Sequence, residues 1–187
     1  MISQARKIFK LFKFINEIPR LIYLIETPMN NFTKNFNFLT RFFHFLFYIL
    51  ENLTILTQLK FLDTNFRTNI EIAMSLCWIL GLNFHISYYT WILKKTYNDE
   101  EDLKIIETDK YKVVDVYDKL KTLSSIRFFL LLGLLRNFGD LLMSCYDLKL
   151  FRNFLGTKTM RLIVGLFGFL SANISLYQMF FSSPLLK

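Results

Sequence analysis

"IAMSLCWILGLNFHISYYTWIL", residues 72–93, runs for 22 positions without a charge. A helix of about 20 apolar residues crosses the hydrocarbon core of a bilayer, so this stretch predicts a membrane span. Asn83, His85, Ser87 and Thr90 interrupt it and predict that one side turns toward other helices. Trp78, Tyr88, Tyr89 and Trp91 suit an interfacial aromatic belt. A second uncharged run covers residues 162–186. Within it Gly165, Gly168, Ala172 and Ser175 recur at steps of three, four and three, which places them on one side of a helix. Helices in lipid associate by close backbone approach, and small residues permit it. That side is therefore expected to meet another helix, in this chain or in a partner. Phe167, Phe169, Leu170, Leu176 and Tyr177 point elsewhere.

Two further segments are apolar but interrupted. Residues 128–146, "FFLLLGLLRNFGDLLMSCY", contain Arg136 and Asp140, one helical turn apart. A lone charge at the centre of a bilayer costs ~2.5–3.5 kcal/mol on insertion scales, so the two are expected to pair and to pack inside a bundle or near the interface. Residues 38–59, "FLTRFFHFLFYILENLTILTQL", carry Arg41, His44 and Glu51 and pose the same choice. The N-terminus differs. Over residues 3–25, Arg6, Lys7, Lys10, Lys13, Glu17 and Arg20 share one broad arc of a helical wheel, and Ile8, Leu11, Phe12, Ile15, Ile18 and Ile22 share the other. This is a basic amphipathic helix. Such a helix can lie in a headgroup layer with its apolar side inserted and Arg6, Lys7, Lys10, Lys13 and Arg20 on anionic lipid. The alternative is a helix covering a protein core. Pro19 is placed to kink or end it.

Residues 99–118 hold eight of the chain's 15 acids and predict a solvated connector. The sequence thus predicts an all-α membrane protein of about five helices, near 3–25, 30–62, 66–97, 122–150 and 158–181. Its two clear spans are 72–93 and 162–186. As a single helical domain of 1–187, it divides into an N-terminal half (1–97), an acidic linker (98–121) and a C-terminal helical hairpin (122–187).

The composition agrees. The chain has 187 residues, is 53% hydrophobic and 18% aromatic, and carries a net charge of +8. That is too apolar for disorder, and the charge favours an acidic partner. The basic residues are scattered over apolar segments without a recognition fold, which argues for anionic lipid and against nucleic acid. Cys77 and Cys145 form no CxxC pair and read as packing residues. His44 and His85 have no further ligand at metal-binding spacing. No phosphate loop, nucleophile elbow or zinc-protease motif occurs. No enzyme, cofactor or metal is expected.

Three stretches resemble the peroxin-11 family, peroxisomal membrane proteins that elongate and divide their organelle. "ARKIFKLFKFINEIPRLIYLIE" is similar to that family's basic amphipathic segment. In "LTRFFHFLFYILENLTILTQLKFL", Glu51 and Asn52 match an acidic-Asn pair before an apolar run. In "LLRNFGDLLMSCYDLKLF", Arg136, Asn137 and Asp140 match a basic-Asn-x-x-Asp pattern. It is followed by a Gly- and Ser-rich closing helix through Gly165, Gly168, Ser171 and Ser175. The resemblance implies a non-enzymatic membrane protein with a structural role, whose basic amphipathic helix inserts into one leaflet and bends it. Family members carry an upstream "GRDK…QY"-like stretch, and the chain reads as an N-terminally shortened relative. This departure keeps an alternative open: an accessory subunit of a large mitochondrial inner-membrane complex such as a respiratory-chain assembly. Arg136, Asp140, Asn83 and His85 would then meet fixed partners. Expected partners are anionic membrane lipids, and other membrane subunits or a second copy.

Overall fold

The computed structural model describes residues 12–28, 31–59, 61, 66–106, 113–148, 150 and 157–181. Among them are a short 3-10 turn, Lys13–Asn16, and five α-helices: α1 (Glu17–Glu26), α2 (Asn31–Gln58), α3 (Arg67–Ile106), α4 (Val113–Asp147) and α5 (Thr157–Phe181). No strand occurs among the described residues. The all-α expectation holds. The four helices α2 to α5 are long and apolar enough to cross a membrane, so the two interrupted segments join the two uncharged ones. They can do so because their few polar groups find partners, as described below.

Two boundaries differ from those read in the sequence. Residues 3–25 do not form one uninterrupted helix: the described part starts as a 3-10 turn behind Phe12, whose φ is 67°. The α-helix begins only at Glu17. Pro19 is the reason, since it has no N–H to donate back to residue 15 and its ring clashes there. It is tolerated only in a first turn, where N–H groups lack helical partners anyway. The second difference is the acidic connector. Helix α3 runs on to Ile106 and α4 starts at Val113, so described residues 98–106 and 113–121 are helical. Pairs such as Lys104 with Glu100, one turn apart at 2.7 Å, support the extension. At 40 residues, α3 is about 60 Å long at 1.5 Å per residue, twice the thickness of the hydrocarbon core.

The chain forms two compact units, Met1–His85 with Met143–Gly156 and Ile86–Leu142 with Thr157–Lys187, and the divisions fall within helices rather than in the acidic segment. In the first unit α2 and the start of α3 pack antiparallel through aromatic rings. Phe36 meets Phe84 edge-on at 5.9 Å, Phe43 stacks on Phe84 at 5.6 Å, and Phe47 meets Trp78 at 4.6 Å. Gly81 sits opposite His44 and Phe43, where an added Cβ would lie 3.3 Å from the imidazole. In the second unit the remainder of α3, α4 as far as Leu142, and α5 pack together. Leu130, Gly133 and Asn137 are buried on α4, and Met160, Ser171 and Ile174 on α5.

Candidate functional site

Helix α1 lies lengthwise and antiparallel along α2. The Lys13 ammonium stands 5.8 Å above the Tyr48 ring, Phe14 meets Phe45 at 6.1 Å, and Lys34 donates to the Ile25 carbonyl at 2.5 Å. Between these contacts Glu17 is 4% exposed. It accepts from Arg20 at 2.6 Å and from Arg41 of α2 at 3.5 Å. Leu24 is buried on the same stripe. The opposite stripe, Ile15, Ile18, Ile22 and Ile25, is exposed. The helix is therefore turned outside-in relative to a water-soluble one: Glu17 of its polar arc faces protein, Lys13 and Arg20 flank it at the exposed edge, and its isoleucine arc faces out. Lipid dictates this, because an apolar stripe costs nothing against acyl chains whereas a carboxylate there needs partners. Of the lipid-binding residues expected from the sequence, Lys13 and Arg20 are exposed, while Arg6, Lys7 and Lys10 lie outside the described residues.

A second cluster joins α4 to α5. Arg136 Nη1 donates to Gln178 Oε1 at 2.8 Å, and Gln178 Nε2 donates to the Phe129 carbonyl at 3.2 Å. Ser171 Oγ donates to Asp140 Oδ1 at 2.5 Å. Arg136 and Asp140 thus both engage α5. Close approach is also found here, but the glycines responsible are on α4. An added Cβ at Gly139 would lie 3.0 Å from the Phe167 carbonyl oxygen, and one at Gly133 would collide with the Tyr89 ring of α3. The stripe of α5 that packs contains Met160, Phe167, Ser171, Ile174 and Gln178. Within the chain the small-residue stripe stays largely uncovered. Gly165 has nothing within 4 Å of a Cβ position, Ala172 and Ser175 are exposed, and Gly168 is half-buried. Satisfying the two half-buried ionic groups outweighs small-residue packing, so α5 presents Ser171 and Gln178 to them. Sequence reasoning missed Gln178, although a glutamine seven residues after Ser171 in an uncharged run was its signal.

Both asparagines of the acidic-Asn and basic-Asn patterns are buried, Asn52 at 9% and Asn137 at 2% exposure. Beyond the apolar part of α3, Glu100 pairs with Lys104 and with Arg127 of α4, and the Arg127 guanidinium lies 4.8 Å over the Tyr97 ring. The hydrogen bond from Lys104 and the Arg127 charge hold the Glu100 carboxyl below its ordinary 4.5, against the opposing effect of desolvation. An open cleft of about 770 Å³ between these helix ends is lined by Asp99, Asp102, Asp118 and Lys119 with Leu103 and Leu123. Among the described residues no group of three His, Cys, Asp or Glu side chains could hold a metal.

The family model for peroxisomal biogenesis factor 11 (PEX11) matches residues 1–180. The chain belongs to this family. The match gives the mitochondrial-complex alternative no support. No curated protein and no solved structure matches the chain. Membership of the peroxin-11 family and four span-length helices together describe a membrane protein of the peroxin-11 type.

Proposed function

We propose that this peroxin-11 family protein has a structural, non-enzymatic role in the peroxisomal membrane, where it shapes the bilayer through its N-terminal amphipathic segment. The family match supports the location and the class of role. The observation that carries the mechanism is the exposed stripe Ile15, Ile18, Ile22 and Ile25 beside the exposed cations Lys13 and Arg20. Each isoleucine sunk into acyl chains contributes about 1.5–3 kcal/mol. Each cation near an anionic surface adds about 1 kcal/mol. A wedge inserted in one leaflet expands that leaflet alone, and the sheet bends to relieve the difference.

Purified full-length protein added to anionic vesicles tests this by electron microscopy. Tubules are expected with the native chain, and far fewer with Ile18→Ser combined with Ile22→Ser, which removes the insertable stripe while leaving the Glu17 contacts. Vesicles that stay spherical with native protein would rule the reading out.

A further inference from the structure

The packing of α1 conflicts with the posture a leaflet wedge needs. Contacts from Lys13–Tyr48 at one end to Ile25–Lys34 at the other run the length of α1, so its axis follows that of α2. With α2 crossing the bilayer, α1 stands upright beside it. A wedge lies flat among the headgroups. The same helix cannot do both at once.

We propose that α1 is a releasable helix, that the Glu17–Arg41 ion pair is the catch holding it on α2, and that an anionic lipid surface releases it. This deepens the membrane-shaping reading and rests on it for its consequence. The catch is built: Glu17 has a side chain 6% exposed and accepts from guanidinium groups on both helices, Arg20 on α1 and Arg41 on α2. The Lys34 hydrogen bond to the Ile25 carbonyl sits at the opposite end of α1, nearest the connection, where a hinge belongs. An anionic headgroup, with a phosphate whose charge is not cancelled and, in phosphatidylserine, a carboxylate, offers the arginines the same two-oxygen recognition as Glu17 and adds a negative surface potential. It therefore competes with Glu17 for Arg20 and Arg41. On release the exposed isoleucines move from beside α2 into the interface, and Lys13 gains the surface potential. In phosphatidylcholine the choline ammonium cancels the phosphate charge and the surface has no negative potential to draw the arginines, so there the helix stays upright.

The test places cysteines at Phe14 and Phe45, with Cys77 and Cys145 changed to serine, and measures bridging by a short bismaleimide in reconstituted vesicles. In phosphatidylcholine vesicles bridging is expected to be efficient. In vesicles enriched in phosphatidylserine it should fall about fivefold for each cation that gains the surface. Glu17→Gln should lower bridging already in phosphatidylcholine, and the exchange Glu17→Arg with Arg41→Glu should restore it. Bridging that ignores both lipid charge and Glu17→Gln would overturn the catch, as would tubulation that persists with the cysteines bridged. If bridging falls on anionic vesicles while no protein ever tubulates them, the membrane-shaping reading fails and the catch stands.

Discussion

Gly139 and Gly165 sit on neighbouring helices, and the sequence gives no reason to rank one above the other. The structure does. Backbone from α5 lies 3.0 Å from the place a side chain would begin at Gly139, while Gly165 faces open space. Backbone cannot swing aside as the end of a long side chain can. Gly139→Leu should therefore cost about 1–3 kcal/mol through overpacking, and Gly165→Leu should leave the monomer within about 0.5 kcal/mol of the native value. Reversible unfolding in mixed micelles by SDS titration measures both. An equal loss at the two sites would mean that α4 and α5 do not meet as described. That Arg136 and Asp140 each need a partner was legible, because charges in an apolar run announce themselves. Their partners Gln178 and Ser171 lie 42 and 31 residues away along the chain, and no local pattern links them.

Elements are where local rules and surroundings diverge most. The amphipathic character of α1 was plain from its periodicity, but which arc faces protein was not. That depends on whether the medium is water or lipid. The overhanging ends of α3 and α4 show the converse. Acidic residues that suggest a connector instead continue both helices, because Lys104 and Arg127 meet Glu100. A carboxyl held below its ordinary 4.5 stabilises the folded form at pH above that value, and the contribution is lost as pH falls through the lowered one. Acidification from near neutrality should thus leave the helix ends protected until the pH passes below 4.5, then loosen them. Carbon-13 titration of the Glu100 carboxyl checks the direction: its midpoint should lie below 4.5 and rise when Lys104 and Arg127 are both changed to glutamine. A midpoint unmoved by those changes would remove the ion pairs as the cause.

For the whole molecule, the governing fact is how little of the apolar surface the chain covers for itself. Only 11% of the apolar window in α3, and the same share in α5, is buried. In water such a surface would aggregate. In a bilayer it is the ordinary lipid-facing exterior. The protein should accordingly remain with membranes after extraction at alkaline pH and high salt, treatments that strip proteins held by charge alone, and leave them only in detergent. Release into the alkaline supernatant would place α2 to α5 at the membrane surface instead of across it. The charged ends of α3 and α4, beyond the apolar runs, should meanwhile stay open to protease in sealed vesicles of one orientation.

By itself the sequence determined the class of fold, the number of helices and the family resemblance. Runs of apolar residues, their interruptions and their periodicity are local properties, and the hydrocarbon thickness gives those runs a fixed length to match. Tertiary structure decided what each polar group is for. Glu17, read as one member of a basic arc, is buried and paired with Arg41 of α2, and the closing helix turned Ser171 and Gln178, rather than its smallest residues, toward α4. These outcomes follow from the energy of an unpartnered charge in lipid, which exceeds any packing preference of a single helix. The partner that removes that energy comes from a distant part of the chain.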